Sequence, residues 1–403
     1  MTTTSLRPFF RCAHLAVVSF ACAIATACKS DSVVVPPTES PAMTILGIGA
    51  VPERYTGELW VRGNVAYTTS WNQKAALGNA VKIWDVSGNT PVLRDSLIVP
   101  NAVTLGDVEV SDDGRTLVVA TELSPGSIML YDLADPIKPQ LITRYTSPLT
   151  DPGVHTAEVE RVNGRLYAFL SVDPGASPAR LVIVDITDPA TPTQVFTQAM
   201  GSPFVHDVFV RNGILMTALW NDGIAIWDIS GGAAGGSVSN PRRISTLHTV
   251  GGKAHNVWWY RSSSGQMKYA FVGEEVPLAF GSQSAGDIHV VDVSDMSAPH
   301  EVAFYNLPGA GTHNFSVDET RGILYAAYYN GGVRAIDVTG DLAACTASEK
   351  SIDGRCDLRK MGRERAHAFE PNQQVFIWGV QLAGGAVYAS DMLAGLWKLG
   401  QAP

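Results

Sequence analysis

Four histidines stand at equivalent places along the chain, in His155-Thr156-Ala157, His206-Asp207-Val208, His255-Asn256-Val257 and His313-Asn314-Phe315. Two earlier stretches of the same kind carry Gly57-Glu58 and Gly106-Asp107 instead. Neutral imidazole is a common ligand of Zn, Cu, Fe and Ni, and carboxylates add hard or borderline donors. A second polar set, Glu122, Asp173, Asn221, Asp222, Glu274, Glu275, Asn330 and Asp391, recurs at later turns of the same repeat. If both sets open on one face, they make a ring of imidazoles and carboxylates at one mouth. The candidate ligand or metal residues are therefore His155, His206, His255, His313, Glu58 and Asp107, with a divalent metal ion as the possible cofactor. The four histidines are expected to converge on one face, with Glu58 and Asp107 opposite them.

A structural reading stands beside this one. Residues repeated at one place in a repeat build the repeat first, and His, Asp or Asn can satisfy the backbone of a nearby turn. No catalytic residue is assigned. Ser284-Ala285-Gly286 lacks the first glycine and the following helix of a nucleophile elbow, and the chain has no phosphate loop, dinucleotide fingerprint, His-Glu-x-x-His or paired Cys-x-x-Cys.

The elements that must position these residues are strands. Leu181-Val182-Ile183-Val184-Asp185 is an unbroken apolar run that ends at an aspartate and breaks at Pro189, as expected of a strand buried on both faces. Related runs end at Asp85, Asp132, Asp228, Asp292 and Asp337. A spacing of roughly 40 to 65 residues between these aspartates fits a propeller of four-stranded blades. Each aspartate is followed two residues on by Ser, Thr or Ala and soon by Pro or Gly, the pattern of an Asx turn. The string LVIVD at 181–185, with its siblings, resembles the LVIVD-repeat family of β-propeller proteins. That resemblance implies a fold and says little about activity.

Turns at Arg62-Gly63-Asn64, Asp113-Gly114, Asn163-Gly164, Asn212-Gly213, Ser264-Gly265, Arg321-Gly322 and Gly384-Gly385 mark seven units, which start near residues 57, 106, 155, 206, 255, 313 and 376. The expected fold is all-β, a seven-bladed propeller over residues 43–403. The last unit ends without an outer strand, while Thr44 to Gly49 has no unit of its own. Pairing the two closes the ring and hides both edges. Residues 274–287 and 339–375 read as the longest loops, where function tends to sit.

Charged residues make up 17% and the net charge is −9, so no basic stripe for nucleic acid is present. Arg7 and Arg11 precede an apolar run from Ala13 to Ala25, too short for a permanent span, and Ala25-Thr26-Ala27 reads as a cleavage site. Residues 1–27 are thus expected to be a signal peptide. Cys28 follows directly and resembles the lipobox cysteine of bacterial lipoproteins, although Ala25 stands where leucine is usual. Ordinary signal-peptidase cleavage is the other route. Acylated Cys28 would make residues 28–42 a tether on a membrane, placing a monomer in the periplasm or at the cell surface; simple cleavage would release it. Of the remaining cysteines only Cys345 and Cys356 belong to the folded part, and an oxidising compartment makes them a disulfide pair. Two functions follow: an exported scaffold for a protein or small-molecule ligand, and a metal-dependent enzyme using the histidines.

Overall fold

The computed structural model describes residues 39–173, 178–232, 234–369 and 373–403. The signal segment, Cys28 and the tether as far as residue 38 lie outside the described residues. Seven antiparallel blades follow, each beginning with an inner strand: Tyr55–Arg62, Thr104–Val110, Thr156–Val162, Asp207–Arg211, Ala254–Trp259, Phe315–Asp318 and Ile377–Ala383. These begin within a few residues of the starts read from the turns. Apart from a three-residue 3-10 turn at Ala347–Glu349, no helix occurs among the described residues.

Each blade is a sheet, and its apolar third strand explains why. Arg180–Asp185, which contains LVIVD, lies between Arg165–Val172 and Thr193–Ala199 and is buried from Leu181 to Asp185. All six repeated aspartates accept a hydrogen bond from the backbone N–H two residues on, at 3.0, 3.2, 3.0, 3.1, 2.9 and 2.9 Å in chain order. They are turn builders. The apolar faces pair between blades rather than around one centre. Phe169, Ile183, Leu215 and Trp227 fill the wedge between blades three and four, and Val61, Trp84, Tyr388 and Leu396 fill the one between seven and one. Fully burying one such side chain stabilises by about 1.5–3 kcal/mol.

Closure is as the sequence suggested. Ile45–Ala50 pairs antiparallel with Gly395–Leu399 and serves as the outer strand of blade seven. Contacts with the ring begin before residue 43, however. Ser40 Oγ donates to Glu364 Oε1 at 2.7 Å, and His367 N–H donates to the Pro41 carbonyl, so the last tether residues are docked on blade six.

The two expected loops contain strands. In the span 339–375, Glu364–Ala368 supplies the outer strand of blade six, and Cys356–Asp357 runs parallel to His300–Tyr305 on the outer edge of blade five. Cys345 and Cys356 are bonded, with Cα atoms 5.9 Å apart, which holds that edge cover in place. In the span 274–287, Val276–Ala279 and Gln283–Ala285 form a hairpin.

Candidate functional site

The inner strand of each blade leaves one edge facing the axis, and its N–H groups need partners. Side chains of the preceding blade provide several. Asp107 accepts from Ala157 N–H at 3.0 Å, Glu109 from Val159 at 2.7 Å, Glu158 from Val210 at 3.3 Å, Ser316 from Leu382 at 3.0 Å and Gln381 from Val61 at 2.5 Å. The direction is the same around the ring. These residues line an axial cavity of about 590 Å3 together with Glu58, Asp207, Asn256 and Asn314. Asp107 is therefore an edge-capping residue. Glu58 accepts from Asn314 Nδ2 at 2.7 Å, and burial with the nearby Asp107 charge pushes it up to about 8.

The four histidines do converge, but one residue earlier along their strands than Glu58 and Asp107. Their neighbouring ring centroids are 4.2, 4.3 and 4.1 Å apart from His155 through His206 and His255 to His313, and Trp378 continues the row at 4.2 Å. Glu58 and Asp107 thus line the channel next to the row and do not stand opposite it as members of one ring; Glu58 Oε1 comes 3.8 Å from His313 Nδ1. Blades one and two have glycine at the histidine register. A Cβ on Gly106 would lie 2.0 Å from the His155 carbonyl oxygen, so no side chain fits there, and the imidazoles form an arc.

Three loop carboxylates meet that arc. Glu122 Oε1 is 3.2 Å from His155 Nδ1, out of hydrogen-bond alignment, and Asp173 Oδ1 is 3.9 Å from the same atom. His206 Nε2 is 4.0 Å from Asp173 Oδ2 and 3.7 Å from Glu275 Oε2. His255 Nε2 is also 3.7 Å from Glu275 Oε2. In the sequence these three stand among eight polar turn residues; their repeat position is a signal, but it does not separate them from Asp391, which caps Phe376 and Leu393, or from Glu274, which lies by His289.

Burial governs the electrostatics. It depresses His206, His255 and His313 well below the ordinary imidazole range, with neighbouring imidazoles adding to the effect on each. Burial alone would also depress His155, but Asp173 and Glu122 raise it well above that range. Burial pushes Asp173 up to about 7 and raises Glu275. Neutral His206 and His255 with reluctant carboxylates suit a cation, whose binding displaces the proton that His155 otherwise holds.

The mouth is covered. The hairpin carries Phe280 across to Tyr55 and Phe376, at centroid distances of 4.9 and 5.5 Å, and stacks it on Trp71 at 5.8 Å. Trp71 Nε1 donates to Glu122 Oε2 at 3.0 Å, and the Tyr329 hydroxyl donates to Glu275 Oε1. Leu123, Trp220 and Tyr329 hold φ of 67°, 54° and 42° in the corners around the mouth. Such backbone costs of order 1–3 kcal/mol per residue and persists where surroundings impose it.

Comparison with known proteins supports the fold. The LVIVD repeat model matches residues 176–199 and 282–307. No curated protein matches the chain. Among solved structures the chain is similar to the C-terminal WD40 domain of Sif2, with 10% identity, a TM-score of 0.55, and 90% of this chain and 99% of that one covered. At that identity the likeness concerns the fold alone.

Proposed function

From a seven-bladed propeller carrying LVIVD repeats, we propose an exported, membrane-anchored, monomeric binding protein whose ligand seat is the histidine mouth. The observation that carries this reading is the set of buried ring nitrogens at the mouth without hydrogen-bond partners: Nδ1 of His155 and of His206 and both nitrogens of His255 and His313. An unsatisfied buried polar group costs about 1–3 kcal/mol, which a bound ligand offsets. The rigid ring and the net charge of −9 agree with a binding role that does not involve nucleic acid.

A metal-dependent enzyme is the second reading, favoured by the nearby imidazole and carboxylate donors. Against it, His206, His255 and His313 are only 7%, 2% and 2% exposed, which leaves a substrate little approach.

Native mass spectrometry of the untagged protein tests the seat. A bound species of any kind is expected on the parent and not on His206→Gln; unloaded parent would make the mouth packed core. Export and anchoring rest on the Arg7-to-Cys28 pattern. Cys28→Ser is expected to move the protein from the membrane to the soluble fraction, since acyl chains provide the attachment. An unchanged distribution would remove the lipid anchor from the proposal.

A further inference from the structure

We propose that the mouth binds a single divalent first-row transition-metal ion through His155, Asp173, His206, His255 and Glu275, with His313, Glu58 and Asp107 outside the ligand set. This rests on the mouth being the ligand seat and names the ligand.

The geometry comes first. Two groups of donors, His155 with Asp173 and His206, and His206 with His255 and Glu275, each lie within 4.8 Å of one another. His206 belongs to both, and the same atom, Nε2, faces Asp173 and Glu275. Donors bound to one ion at about 2.0–2.2 Å stand no more than about 4.4 Å apart. The separations of 3.7 to 4.0 Å around His206 and His255 already lie within that limit. Within each group, closing the widest pair takes at most about 0.4 Å; bringing both groups onto one ion requires the outer donors to move further toward His206, the member they share.

Charge and surroundings agree. Two carboxylates neutralise a divalent ion, as a site removed from water requires. Three imidazoles with two carboxylates and no thiolate suit Mn, Fe, Co, Ni or Zn better than Cu(I) or Mg. Metal-binding carboxylates are usually held by a further hydrogen bond, and the Tyr329 hydroxyl supplies one to Glu275 Oε1, leaving Oε2 toward the imidazoles. Glu122 Oε1 lies 3.2 Å from His155 Nδ1 on the side of Asp173, and Trp71 Nε1 holds its other oxygen. His313 is set apart because its nearest carboxylate is Glu58, at 3.8 Å on the channel side. Of the proposed ligand atoms, His155 Nδ1 and His255 Nε2 are buried without hydrogen-bond partners next to these carboxylates, and an ion between them satisfies both.

The test uses the untagged, full-length protein, stripped with chelator and equilibrated in turn with Mn, Fe(II), Co, Ni and Zn, with stoichiometry read by elemental analysis. At least one metal is expected to bind at one equivalent per chain and to raise the melting temperature. His206→Gln and Glu275→Gln are expected to weaken binding at least 100-fold, and His313→Gln to change it less than about threefold. Asp173→Asn, nearly identical in shape, serves if either variant fails to fold, and circular dichroism of each metal-free protein checks this. Retention of no ion by the folded parent overturns the proposal, as does unchanged binding in the carboxylate variants or equal loss in His313→Gln. An organic species on the parent without metal overturns the metal assignment alone; no bound species removes the ligand seat as well.

Discussion

Deleting residues 43–50 is expected to abolish cooperative melting or lower the melting temperature by at least about 10 °C, while deleting residues 29–38 leaves it within about 2 °C. The first deletion removes the outer strand of blade seven, in which Ile48 pairs with Trp397 and Gly49 with Leu396. Trp397 and Leu399 are fully buried, and Met43 packs in the same cluster. The deletion also removes Met43, Ile45 and Ile48 from this cluster, and each apolar side chain that loses its burial forfeits about 1.5–3 kcal/mol. An open strand edge is left besides. The second deletion stops short of Ser40, the first residue with a side-chain bond to the ring. Thermal circular dichroism of the two truncations decides the matter; equal melting temperatures would mean that the N-terminal strand does not close the propeller.

The second large effect is on pH dependence. Metal-free protein is expected to lose stability steadily between pH 6.5 and 8. Burial raises Glu58 to about 8 and Asp207 to about 7. Below those values the folded protein keeps protons that the unfolded chain has already released, so each rise in pH favours unfolding by up to 1.4 kcal/mol per unit for one group. Neutral His206, His255 and His313 act the other way, but only below about pH 6.5, where the unfolded chain protonates its histidines. Above that point the carboxylates are unopposed. Glu58→Gln keeps an acceptor for Asn314 and removes one proton from the balance. Between pH 6.5 and 8 it should flatten the decline by about 2 kcal/mol, read from urea unfolding with chelator present. Parallel profiles for parent and variant would place Glu58 in the ordinary carboxylate range.

If the metal site is correct, the Glu58 variant also separates two roles of the axis. Glu58 and Asp107 line the channel, and Asp107 satisfies a strand edge, whereas Asp173 and Glu275 face imidazoles. Metal affinity should therefore follow the second pair and leave the first almost unaffected.

The blade count, the places where inner strands begin, the closing strand and the Asx turns are all legible in the chain. These depend on short-range patterns: an apolar run, an aspartate and a turn. The sequence also brings His155, His206, His255 and His313 together, because equivalent residues of successive blades must face one axis. Their neighbours depend on how the blades and loops pack. Glu58 and Asp107 lie one residue further along their strands, so the backbone turns them into the channel lining. Gly106 excludes a side chain where it meets His155, which makes the row an arc. Asp173 reaches His206 from the preceding blade and Glu275 reaches it from the following one, contacts set by loop shape and rotamer rather than by repeat spacing. The Phe280 hairpin joins blade five to blades one and seven across the mouth, and such long-range packing leaves no local periodicity to read.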